Sequence, residues 1–326
     1  MIVALPVTAQ RAPSFAQHVR LVSRSLLLDI AAAGRRLVAV GERGSVLLSD
    51  DRGQTWAQAT SVPTQALLTG VCFGDPQHGV AVGHDEVILT TSDAGRTWSL
   101  AHFAPEAQQP LLDVACVGGG RVIAVGAYGA YFTSLDGGVT WVQRKLDHDF
   151  HLNKIVAAST TRLYIAAESG HLYRSDDAGD SWRELPSPYE GSFFGVTPLK
   201  GDVVLACGLR GNLFRSEDAG ASWHKIDSGT QALLNNLVRL EAAVGSAAAT
   251  QVAAATQVAA ATQVVAAVGL SGVVLVSHDD GQSFAVQQQP DRKGLSAAAD
   301  VGDDTLVVVG EGGARLIKLA PAGAAP

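Results

Sequence analysis

The sequence predicts an all-β fold, a single seven-bladed β-propeller of four-stranded antiparallel blades, closed by an N-terminal strand that completes the last blade. Three observations predict it. An eight-residue pattern, Ser/Thr-x-Asp-x-Gly-x-Thr/Ser-Trp/Phe, recurs six times, a β-branched run ending in Gly or Ala recurs seven times, and 35 Gly are spread through 326 residues. Glycine and β-branched residues at that density argue against helices and for short strands joined by tight turns.

The pattern occupies 49–56, 91–98, 134–141, 175–182, 216–223 and 277–284. Its acids, Asp51, Asp93, Asp136, Asp177, Asp218 and Asp279, are separated by 42, 43, 41, 41 and 61 residues. Its closing aromatics are Trp56, Trp98, Trp141, Trp182, Trp223 and Phe284. These residue types suit a self-bonded hairpin: the carboxylate accepts backbone N–H bonds, Gly supplies positive φ, and the aromatic packs into the blade. The role is architectural.

The β-branched runs fall at 38–41, 80–83, 123–126, 165–167, 205–208, 266–269 and 307–310. Four strands per unit are expected, in the first unit over 27–33, 36–40, 45–49 and 55–59. The seventh unit ends before a motif is completed. Phe15 lies 41 residues before Trp56, in phase with the repeat, so residues 15–20 are expected to supply the missing outer strand. The long step of 61 contains a tandem Ala-Ala-Ala-Thr-Gln-Val array, 245–264, between the first two strands of unit six. As a surface loop it costs little, about 0.6 kcal/mol per doubling of length.

Composition excludes several classes. With 47% hydrophobic and 17% charged residues the chain has a large ordered core. The net charge is −7 and basic residues are scattered singly, so nucleic acid is excluded as a partner. Cys72, Cys116 and Cys207 lie in apolar runs without a C-x-x-C pair, and read as buried small hydrophobes rather than as a disulfide or metal scaffold. No apolar run is long enough for a transmembrane segment of its own. Residues 1–9 end in Val7-Thr8-Ala9 and read as the remnant of a signal peptide whose start codon lies upstream; an ordinary ragged N-terminus is the other reading. The expectation is a periplasmic or otherwise exported monomer with its propeller over 10–326, the alternative being a cytoplasmic one.

The six motifs resemble those of the Asp-box (bacterial neuraminidase repeat) proteins. Within that group, Leu67 to Gly83 is similar to the photosystem II stability/assembly factor family, and the stretches 150–153, 187–195 and 208–212 resemble its non-photosynthetic bacterial branch. That resemblance implies an exported, non-catalytic assembly or accessory factor whose partner is a membrane protein complex or an RND-type transporter component.

Asp-box proteins include sialidases, so a glycan-binding or glycoside-hydrolysing propeller is the alternative. Sialidases resemble one another in an Arg triad, a Tyr nucleophile and an Arg-Ile-Pro opening; Arg11-Ala12-Pro13 departs from it, and no Arg set accompanies the five Tyr. The expectation is no enzyme and no cofactor. His148-x-x-His151 beside Asp147 and Asp149 is too weak a pattern for a metal site. The Gly-x-x-Gly turns recur in every blade, and none opens a phosphate-binding helix.

Turns between second and third strands share one face of a propeller with the interblade loops. On that face the expected partner-binding residues are Arg43, His84, Tyr128, Phe150, Glu168, Tyr189, Phe193, Phe194 and Arg210, aromatics beside Arg being a common interface chemistry. For Phe193 and Phe194 a core position at the start of a strand is the other reading.

Overall fold

A computed structural model describes residues 14–19, 22–146, 148–240 and 262–321. Seven antiparallel sheets follow one another along the chain, each wound inner strand to outer strand in sequence order. They span 27–58, 68–102, 111–144, 152–184, 193–226, 234–288 and 295–318 and are numbered here as blades 1 to 7. In blade 1 the strands are Leu27–Ala33, Arg36–Gly41, Val46–Ser49 and Ala57–Gln58, within two residues of expectation. The hexapeptide array falls between Leu234–Leu240 and Val264–Gly269, the first two strands of blade 6, as its sequence position required. Its tail is part of the blade: Val264 pairs with Leu240, and Gln263 accepts the Lys200 N–H at 2.8 Å. The rest of the array lies outside the described residues.

Each eight-residue motif closes on itself. Ser49 Oγ donates to Asp51 Oδ1 (2.8 Å), the Thr55 N–H donates to the same oxygen (2.9 Å), and the Thr55 hydroxyl donates to Asp51 Oδ2. These hydroxyl and amide bonds hold the carboxyls of Asp51, Asp136, Asp177 and Asp218 at about 2.

The aromatic that ends each motif packs into a seam rather than within its own blade. Trp98 of blade 2 lies with Val38, Val40 and Leu48 of blade 1, and Trp223 of blade 5 lies with Tyr164 and Ala166 of blade 4. The second and third strands are buried on both faces, which explains their unbroken apolar runs.

The ring closes differently from the sequence expectation. Blade 7 has three strands among the described residues, and residues 14–19 do not pair with it. They bond instead to the outer edge of blade 1 and the loop beyond: the Ala16 N–H reaches Val62 O, and Gln58 bridges Gln17 O and the Val19 N–H. Arg20 is outside the described residues. Closure rests on apolar packing, with Leu27, Leu37, Ala39 and Leu47 of blade 1 against Val307 and Val309 of blade 7.

A second expectation also fails. Cys72 and Cys116 are joined by a disulfide across the seam between blades 2 and 3, with a Cα–Cα distance of 5.7 Å. Cys207 is a free, buried thiol, pushed up by desolvation.

Candidate functional site

The face of the second-to-third-strand turns is built from a repeated backbone device. In most blades the turn places one side chain in the left-handed region and then a Gly: Arg43 (φ 55), Tyr128 (φ 54), Ser169 (φ 56), Arg210 (φ 54) and Ser271 (φ 58). The following interblade loop presses on that Gly; a Cβ on Gly211 would stand 2.0 Å from Thr230 O. The side chain before the Gly is therefore pushed outward, and Arg43, Tyr128 and Arg210 are exposed.

One of the expected polar groups, Glu168, is tied down. Glu168 Oε1 accepts the His151 N–H at 2.8 Å, a role that Glu42 repeats for Leu26 and Glu311 for Gly294. His84 stays exposed at its turn on blade 2.

Over blades 3 and 4 the aromatics converge. Tyr128 meets His151 edge-on at 4.8 Å, and Phe150 stacks on His171 at 3.8 Å and 22°, with His148 5.5 Å away. His171 in turn touches Glu184 Oε1 at 2.7 Å. The two histidines of His148-x-x-His151 thus belong to different contacts, one beside Phe150 and one beside Tyr128 and Glu168; Asp147 lies outside the described residues. Tyr189, half-buried, caps the core of blade 5 through Phe193 and Phe214.

Phe193 corrects the expectation: it is fully buried and belongs to the core between blades 4 and 5. Phe194 does not lie in the surface patch either, because a bulge in its strand turns it into the central channel. Arg43 and His84 share the face but stand on blades 1 and 2, away from the aromatic group. Tyr128, Phe150, Glu168, Tyr189 and Arg210 remain as one arc over blades 3 to 5.

The channel was not foreseen as a site. All seven inner strands contribute at a bulge, four of them with two consecutive residues and three with one, and it encloses about 190 Å3. Lys154 of blade 4 lies 3.0 Å from Asp113 of blade 3 and 3.8 Å from Asp29 of blade 1. The carboxylates also cross seams: Asp113 accepts the Ile155 N–H (2.8 Å) and Asp29 the Val71 N–H (3.0 Å). Burial pushes Asp113 up to about 6, and the two carboxylates hold Lys154 protonated against its own burial. Asn153 and Asn235 extend the belt by donating to Phe193 O and Leu295 O. These bonds tie blade to blade.

A propeller whose channel is bridged by its own ion pairs, and whose exposed side chains on one face lie on loops, is of the scaffold class. The family model described as Photosynthesis system II assembly factor YCF48 matches residues 58–184 and 103–244, more than half of the chain, and the chain belongs to that family. A solved structure described as YCF48 bound to D1 peptide is 17% identical with a TM-score of 0.70, covering 98% of this chain and 100% of that one. YCF48 from Cyanidioschyzon merolae is 17% identical with a TM-score of 0.68, over 96% and 100%. An ancestral GH74 enzyme has a TM-score of 0.66 at 10% identity, over 87% of this chain and 43% of that one. No curated protein sequence matches the chain.

Proposed function

We propose that the protein is a non-catalytic, exported scaffold that grips a segment of a membrane protein as an assembly or accessory factor, the partner being a component of an RND-type transporter. The observation that carries this reading is the arc of Tyr128, Phe150, Tyr189 and Arg210 on loops over blades 3 to 5, aromatics on the same face as a cation with no carboxylate bonded to Arg210 among the described residues. A relative of the same fold is bound to a D1 peptide, which supports a peptide-like ligand. The Cys72–Cys116 disulfide supports an oxidising compartment. The channel carboxylates Asp29 and Asp113 are committed to Lys154 and to backbone N–H groups, so they do not offer the free acid and base of a glycosidase.

The test is crosslinking capture from membranes with Arg210→Glu. Retention of the wild-type circular dichroism with capture reduced at least tenfold is expected. Capture at the wild-type level by the folded variant would overturn the reading.

A further inference from the structure

Four seams share an arginine staple. A guanidinium of one blade reaches the carbonyl of the fourth motif residue in the next: Arg36 to Ala94 O (3.3 Å), Arg121 to Ala178 O (3.2 Å), Arg174 to Ala219 O (3.1 Å) and Arg215 to Asp280 O (3.1 Å). The fifth motif residue, a Gly, rests on side chains of the preceding blade with or without a staple: Gly95 on Val38 and Leu48, and Gly53, at the seam of blades 7 and 1, on Val307 and Leu316.

The seam of blades 2 and 3 keeps this packing, Gly138 resting on Val80 and Thr90, but lacks the staple. By strand register His78 stands where Arg36 and Arg121 stand, and Thr90 where Arg174 and Arg215 stand. His78 Nδ1 is turned to Asp75 Oδ2 at 2.9 Å. Among the described residues no donor reaches Gly137 O, and a Cβ on Gly137 would meet nothing within 4 Å. A cleft of about 500 Å3 opens there, walled by Val80, Thr90, Val122, Cys116 and Val139. The disulfide crosses this same seam, holding the blades where the staple is missing.

The lip is also exceptional. The second and sixth motif positions are Leu135 and Val139, where the other five motifs have Asp50, Ser92, Asp176, Glu217 and His278, then Gln54, Arg96, Asp180, Ala221 and Gln282. Leu135 is 65% and Val139 66% exposed. The carboxylates of Asp75 and Asp136 border the cleft, and Arg121 is held by Asp180 at 2.9 Å.

We propose that this cleft, on the face opposite the aromatic arc, receives an arginine of a partner polypeptide in the place of the missing staple, with apolar neighbours of that arginine resting on Leu135 and Val139. The occupant's chemistry is set by the site: an unused carbonyl that its four counterparts give to guanidinium, carboxylates at the edge, an apolar lip and a net charge of −7 on the chain. The inference rests on the protein-binding reading above but places a second contact on another face.

An array of labelled peptides, each with one Arg among Leu, Val and Ser, tests it beside a twin array with citrulline, which has the same shape without the charge. Peptides retained from the first array are expected to bind at least tenfold more tightly than their citrulline twins. His78→Arg, which supplies the protein's own staple, is expected to keep or raise the melting temperature and to lose binding at least tenfold, and Val139→Ser, which removes the apolar contact without adding charge, to weaken it. Arg210→Glu is expected to leave peptide binding unchanged, which separates this cleft from the arc. Equal binding of citrulline twins, unchanged binding by His78→Arg, or no retained peptide would each overturn the inference.

Discussion

Lys154 Nζ of blade 4 stands 3.0 Å from Asp113 Oδ1 of blade 3, with both side chains largely withdrawn from solvent, at 20% and 3% exposure. Removing the ammonium would leave Asp113 and Asp29 facing each other without a counter-charge. Lys154→Met is expected to cost about 3–5 kcal/mol in a denaturant titration, the usual penalty for stranding a buried charge. Adding Asp113→Asn, which keeps an acceptor for the Ile155 N–H, should recover part of the loss. An additive double variant would show that the pair is not coupled.

The disulfide closes a sequence separation of 44 residues. Chain entropy alone gives such a link about 4 kcal/mol. Cys72→Ala/Cys116→Ala should melt well below the wild type, and reductant should lower the wild-type midpoint while leaving the variant where it is.

The motif carboxylates set an acid limit. Hydroxyl hydrogen bonds lower Asp51, Asp136, Asp177 and Asp218 from the usual 3.8 to about 2 in the folded chain. Depressed carboxyls stabilise fully above the unfolded value and lose that contribution as pH falls from about 4 through about 2. Asp177→Asn is expected to melt below the wild type at pH 7, and the two curves should converge near pH 2. A constant gap across that range would contradict this account.

Excising residues 253–264 brings Gln251-Val252 to the register of Gln263-Val264, so the bond to the Lys200 N–H and the pairing with Leu240 can be rebuilt. The melting temperature should move by no more than about 2 °C, since a shorter loop changes closure entropy by only about 0.6 kcal/mol per halving.

Strand positions and blade count were legible because the motif spacing, 41 to 43 residues, is a direct image of one blade. The channel triad was not, because Asp29, Asp113 and Lys154 are single residues on three blades and form no local pattern. The disulfide did have a signal. Facing sides of neighbouring blades differ by one residue in strand register, since a shift of one turns a side chain to the other face. Cys72 and Cys116 are 44 apart, one more than the 43 residues between Asp93 and Asp136, which is the separation that sets them opposite each other. Phe193 and Phe194 could not be assigned from their neighbours, because only the bulge decides which enters the core and which the channel. Phe15 misled by keeping phase with the repeat while its backbone bonds elsewhere: its carbonyl accepts from Gln65.

Five of the six motif aromatics rest on the blade made before their own, and the sixth, Trp56 of blade 1, packs at the seam with blade 7, which is made last. During synthesis every newly emerged blade therefore waits for its successor to cover its apolar flank, and the chain always trails one unfinished surface. The last of these to be covered joins Leu27 to Val307, about 280 residues apart. Contacts so distant form late and slowly, so the interval in which the nascent chain is most exposed to aggregation lasts until its seventh blade is complete.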